Sequence, residues 1–175
     1  MPIRSRIRTI PDYPKAGIQF RDITTLLQDP VGFRLTVDQI VEAWRGVTVD
    51  TVAGVEARGF ILGGAVAYRL QAGFVPLRKQ GKLPGETIGQ DYDLEYGRDR
   101  IEMHTDAVQE GQRVLLLDDL IATGGTALAA IDVLEKVGAR IVGCVFVIDL
   151  PDLGGSERIR ERDLSVHSLC VFEGD

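Results

Sequence analysis

Val114-Leu115-Leu116-Leu117-Asp118-Asp119-Leu120-Ile121-Ala122-Thr123-Gly124-Gly125-Thr126-Ala127 is the stretch around which the chain organises itself. Four consecutive apolar residues, without polar alternation, predict a strand covered on both faces. That run passes directly into two carboxylates. Thr123-Gly124-Gly125-Thr126 then opens a helical pattern through Ala127, Leu128, Ile131 and Leu134, which Gly138 closes. A buried strand, a loop crowded with unusual residues and a helix therefore follow one another.

The same unit recurs on either side. Downstream, Ile141 to Ile148 and Val166 to Val171 read as β-branched strands. Upstream, Thr51-Val52-Ala53-Gly54-Val55 is too short for a helix, and Glu56-Ala57-Arg58-Gly59 leads from it into a helical pattern at Leu62, Ala65, Val66 and Leu70. Phe74-Val75-Pro76-Leu77 predicts a short strand with Pro76 near its end, since proline donates no ladder hydrogen bond. Asp29 as N-cap and Pro30 as first helical residue start an amphipathic helix that runs through Phe33, Val37, Ile40, Val41 and Trp44 to Gly46. Apolar strands alternating with helices predict an α/β fold, an open and mostly parallel sheet flanked by helices. Ligands of such sheets bind at the carboxyl ends of the strands, where the loops gather. The segment from Arg78 to Glu102 breaks this rhythm, roughly 25 residues of glycine and charge where about 2 to 6 would join two elements. It reads as a lid or insert, and Leu94, Tyr96 and Ile101 suggest a short hairpin flap over the site.

Composition narrows the possibilities. A chain of 175 residues, 45% hydrophobic, suits one domain with a full core and no metal or disulfide staple. Cys144 and Cys170 sit in apolar runs without a CxxC spacing, so they read as reduced, buried thiols. The N-terminus carries Arg4, Arg6 and Arg8 but no continuous apolar stretch, and no segment approaches the ~20 apolar residues of a membrane span. The cytoplasm is the expected location, with no membrane partner. A net charge of −6 disfavours a nucleic-acid partner. His104 and His167 belong to no motif and read as structural.

The chemistry of the central loop follows from its residue types. Glycines let several backbone N–H groups converge, the helix N-terminus adds positive potential, and Thr123 and Thr126 add hydroxyl donors. Such a loop is a nest for a phosphate dianion. Asp118 and Asp119 would repel that phosphate and so face something neutral or cationic, for which sugar hydroxyls and a magnesium ion both qualify. The chain contains no GxxxxGK[ST] and no GxGxxG after a strand.

On these residues Val114 to Ala127 resembles the phosphoribosyl pyrophosphate (PRPP) fingerprint of the type I phosphoribosyltransferases. The resemblance implies that Ala122, Thr123, Gly124, Gly125 and Thr126 hold the 5′-phosphate and that Asp118 and Asp119 contact the ribose hydroxyls. It implies Mg²⁺ bound mainly through PRPP oxygens, with few direct protein ligands. Hypoxanthine and guanine enzymes of the family resemble one another in carrying an aspartate where Ala122 stands, so here another group must handle the proton of the base. Leu94-Glu95-Tyr96-Gly97 is similar to the flap signature of the adenine phosphoribosyltransferases, which makes Glu95 the candidate general acid-base.

Three further segments agree. Pro14 to Ile23 is similar to that family's N-terminal hood, over about residues 1–28, and implies Phe20 stacking on adenine, with Gln19 and Arg21 at its edge and Leu120 on its other face. Glu56-Ala57-Arg58-Gly59-Phe60 is similar to the pyrophosphate loop, with Ala57 and Arg58 as binding residues. Arg78-Lys79-Gln80-Gly81-Lys82-Leu83-Pro84-Gly85, opening a flap over about 78–102, is similar to a basic segment whose Arg78, Lys79 and Lys82 reach pyrophosphate across a homodimer interface. Gln80 stands where relatives can carry arginine. Taken alone, Phe20 is an ordinary core aromatic, Glu95 an exposed carboxylate and the flap cations a solvated surface; the pattern gives them their roles. The implied reaction is adenine plus PRPP giving AMP and pyrophosphate. Its rivals are transfer to hypoxanthine, guanine or xanthine, and a PRPP-sensing regulator, for which the residues before Ile23 are too few to add a helix-turn-helix.

Overall fold

The computed structural model describes residues 2–94 and 97–174. An N-terminal hairpin of β1 (Arg8–Pro11) and β2 (Gln19–Asp22) leads through α1 (Thr24–Gln28) into α2 (Pro30–Ala43). Asp29 caps α2, accepting from Val31 N at 3.1 Å, and Pro30 follows as the sequence predicts. Then come β3 (Thr51–Val55), α3 (Arg58–Leu70), β4 (Gly73–Lys79), β5 (Thr87–Asp93) and β6 (Arg98–His104). The chain continues with β7 (Arg113–Ile121), α4 (Gly125–Lys136), β8 (Arg140–Asp149), α5 (Gly155–Arg160) and β9 (Val166–Val171). Among the described residues seven strands form one sheet in the order β5-β6-β4-β3-β7-β8-β9, in which β4-β3-β7-β8-β9 pair in parallel and β6 runs antiparallel to both β4 and β5.

The central strand explains its own composition. Leu116 packs into a core with Ile131, Leu134 and Phe146 beneath α4, while Leu115 and Leu117 face Ile40, Leu62 and Val66 of α2 and α3. Residues Val114 to Leu117 are all fully buried. Each contributes about 1.5–3 kcal/mol of hydrophobic stabilisation, which a polar residue at either parity would forfeit. No helix among the described residues is long and apolar enough to cross a membrane.

Two boundaries differ from the sequence expectation. β7 does not stop at the carboxylates: its register with β8 continues through Asp118↔Phe146 to Ile121↔Asp149, because the ladder outlasts the apolar run. Pro76 lies in the middle of β4. Glu56 N donates to Leu77 O, so by alternation Pro76 turns its nitrogen toward the other edge, where β6 begins pairing only at Arg78. The long segment after Arg78 is a hairpin of two seven-residue strands joined to the main sheet, and Ile101 and Met103 of β6 are fully buried in its core.

Asp22 fastens the hood. Burial raises its carboxyl, yet the Arg8 guanidinium, with Nε at 3.0 Å, and the Thr24 donors bring it down from the usual 3.8 to about 2. A depressed carboxylate stabilises the fold above its unfolded pKa, and this stability is lost as pH falls through the folded one. Asp22→Asn is therefore expected to cost about 1 kcal/mol at pH 7 and clearly less near pH 2, checked by urea melts at both. An equal loss at both pH values would mean that the ion pair is not what fastens this corner.

Candidate active site

The site gathers at the carboxyl end of β7, as the topology requires. After Ile121 the chain turns through Ala122, Thr123 and Gly124 before α4 starts. Gly124 adopts φ +83°, and a Cβ there would stand 2.9 Å from Gly155 Cα, so glycine is demanded by conformation and by space. Among the described residues, no acceptor meets the backbone N–H groups of Thr123, Gly124, Gly125 or Thr126. Four orphan donors at the start of a twelve-residue helix form an electropositive concavity. A cavity of about 290 Å³ lies in front of them, lined by residues 122–126 together with Asp118 and Leu120.

The acidic pair is divided by strand alternation. Asp118 lines the cavity and accepts from Asp119 N at 2.8 Å. Burial, and then the charge of Asp119, push its carboxyl well above the ordinary range. Asp119 turns the other way, is 6% exposed, and accepts from Arg58 Nε. Burial disfavours the Arg58 charge, but Asp119 more than restores it.

Glu56 organises the cations. It accepts from Arg78 Nε at 3.1 Å and from Lys79 N at 3.0 Å, which sets both residues beside Ala57 and Arg58. Burial raises the Glu56 carboxyl, and these bonds lower it further than burial raises it. Arg78 also donates to Lys82 O at 3.1 Å. Lys79 Nζ donates to Tyr92 Oη at 2.9 Å and to Asp99, while the Lys82 side chain is exposed. Arg58, Arg78 and Lys79 thus each hold a carboxylate of the chain itself.

The base set is less gathered. Leu120 is at the cavity, whereas Gln19, Phe20 and Arg21 lie on β2 and do not line it. Phe20 meets Tyr13 edge to face with ring centroids 5.2 Å apart. Arg21 donates to Thr9 Oγ1 at 2.8 Å and lies over the Phe172 ring at 4.5 Å. Asp22, at the end of β2, adds to the charges that favour the Arg58 cation, after Asp119 and Asp118. Glu95 and Tyr96 lie outside the described residues. Among the described residues no cluster of three or more His, Cys, Asp or Glu side chains could hold a metal by itself.

Several site residues escape the sequence reading. Tyr92 lines the cavity and sits 3.6 Å from where a Cβ on Gly125 would be, although its strand carries mostly polar neighbours. Glu56 heads the segment likened to the pyrophosphate loop but had no role there, and Asp99 carries no signal beyond being acidic. Gly155 and Arg158, which touch the loop from behind, come from a stretch whose only mark is the Gly154-Gly155 turn.

The phosphoribosyl transferase domain model matches residues 36–169. The adenine phosphoribosyltransferase of Prosthecochloris aestuarii is 60% identical over 177 residues, covering 100% of both chains. The crystal structure of the adenine phosphoribosyltransferase from Thermoanaerobacter pseudethanolicus superposes with a TM-score of 0.92 at 46% identity, over 97% of this chain and 98% of that one. That of the Saccharomyces cerevisiae enzyme, complexed with an imino-altritol bisphosphate and adenine, gives 0.90 at 35% identity over 96% of each chain.

Proposed function

The chain belongs to the adenine phosphoribosyltransferases of the phosphoribosyl transferase domain family, and from that premise we propose how its residues divide the work. It is a purine-salvage enzyme that transfers the 5-phosphoribosyl group of PRPP to adenine, giving AMP and pyrophosphate. The observation that carries the assignment of roles is the row of unpaired N–H groups from Thr123 to Thr126 facing a cavity beside Asp118.

In this reading residues 122–126 take the 5′-phosphate, and Asp118 takes the ribose hydroxyls. Asp119 acts alongside it while holding Arg58. Ala57, Arg58, Arg78, Lys79 and Lys82 receive pyrophosphate. Because three of these cations already have carboxylate partners, binding exchanges Asp119, Glu56 or Asp99 for phosphoryl oxygens instead of filling a naked positive pocket. Such preorganised charge stabilises the pyrophosphate that departs as the anomeric carbon becomes cationic. Arg78 and Lys79 are tied beside their own pyrophosphate loop, so in a homodimer Lys82 is the cation left to reach the partner subunit. Gln19, Phe20, Arg21 and Leu120 hold adenine, and Glu95 manages the proton on its imidazole side.

Mg²⁺ takes one or two protein oxygens at most and completes its shell from substrate phosphates and water, so it would be held mainly by PRPP oxygens. Asp118, which lines the cavity beside the nest, is the carboxylate that would reach it. The ion would supply neutralisation of the leaving charge. Two thiols without a disulfide, Cys144 and Cys170, agree with a cytoplasmic location.

Incubation with PRPP, Mg²⁺ and each purine in turn, followed by chromatography, is expected to yield AMP from adenine and to fail when Mg²⁺ is chelated. Preferential formation of another nucleotide would reassign the base. A monomer in sedimentation under assay conditions would remove the homodimer.

A further inference from the structure

A phosphate nest works only if the loop offers N–H groups and no carbonyl oxygen. In a planar trans peptide the C=O of one residue and the N–H of the next point in opposite directions, so whatever holds the carbonyl back aims the amide forward. Three carbonyls must therefore be held to aim the N–H groups of Thr123, Gly124 and Gly125. Gly124 O accepts from Leu128 N at 2.8 Å, inside the opening turn of α4. The other two holders come from a different part of the chain. Ala122 O accepts from Gly155 N at 2.9 Å, and Thr123 O accepts from Arg158 Nη1 at 2.7 Å. Neither Gly155 nor Arg158 lines the cavity at residues 122–126; Arg158 lines an adjoining one, with Thr123, Gly125 and Asp132.

The brace is rigid. A Cβ on Gly155 would stand 2.3 Å from Ala122 O and 2.6 Å from Gly124 N, so only glycine allows the two backbones this approach. Ile159 anchors α5 in the core, fully buried. Just beyond α5, Arg162 donates to Asp132 at 2.7 Å and Glu135 at 2.6 Å, tying this segment to α4.

We propose that Gly155 and Arg158 are positioning residues of the phosphate site, which hold the Ala122 and Thr123 carbonyls to the rear and so aim the Thr123 and Gly124 N–H groups at the 5′-phosphate. The proposal rests on the reading of residues 122–126 as the PRPP phosphate nest. Arg158 makes no contact with substrate in it, and its charge-assisted bond acts through the peptide it holds.

The test compares the full-length enzyme with Arg158→Ala, Arg158→Lys and Gly155→Ala. Arg158→Ala is expected to raise the KM for PRPP about 10-fold, with kcat, the KM for adenine and the melting temperature unchanged. Lysine, which can donate to the same carbonyl, is expected to recover most of that loss. The Kd of ribose 5-phosphate, measured by calorimetry, rises with the PRPP KM while inhibition by pyrophosphate stays as it was. Gly155→Ala, which displaces the loop itself, is expected to weaken PRPP by about 100-fold. A PRPP KM unaltered in Arg158→Ala, or one that rises together with the KM for adenine, would overturn the brace. If the unsubstituted enzyme forms no AMP, the nest reading itself has failed, which is a separate outcome.

Discussion

Gly124→Val is expected to abolish PRPP binding while leaving the sheet folded. A left-handed φ of +83° costs a residue with a Cβ roughly 1–2 kcal/mol, and more for a β-branched one. Space adds a second penalty, since the Cβ would lie 2.9 Å from Gly155 Cα and 3.1 Å from Gly155 O, which are backbone atoms that cannot rotate away. The loop must therefore leave Gly155, and with it goes the orientation of the neighbouring amides. Hydrogen bonds to a charged group are worth about 1.5–3 kcal/mol each, so loss of two or more weakens PRPP at least ~10²-fold. Calorimetric titration with PRPP reads the effect directly, and a thermal melt separates it from unfolding. A normal titration by a folded Gly124→Val protein would show that the phosphate binds elsewhere.

Glu95→Gln is expected to lower kcat by ~10²-fold or more with little change in the KM for PRPP, the signature of lost acid-base catalysis. Glu95 itself is outside the described residues. Leu94 lines the phosphate cavity, and Leu94 N donates to Gly97 O at 2.9 Å. Ala122 in the loop offers no proton acceptor of its own. The substitution should also flatten the limb of the pH–kcat profile that reports this carboxylate. Full turnover in Glu95→Gln would take the residue out of the mechanism and return the proton to a group still to be found.

Features whose causes lie within a few residues are legible in the chain alone. A short unbroken apolar run between a glycine turn and a polar loop suits a strand covered on both faces, and Val114 to Leu117 are so covered. Asp29 before Pro30 caps a helix wherever that helix lies, and paired threonines and glycines ahead of an apolar helical pattern mark a tight turn into a helix N-terminus. The purine-salvage reading came from whole segments that match a family.

Which residues face one another is set by the packed fold. Arg58 finds Asp119 across 61 positions, and Arg158 finds Thr123 across 35, and no local preference encodes such pairs. Pro76 sits mid-strand because the edge it faces is unpaired there, and β7 runs past its apolar part because β8 runs beside it. Propensity and periodicity act along the chain, whereas ladders, ion pairs and close backbone contacts act between segments that meet only when the sheet has formed.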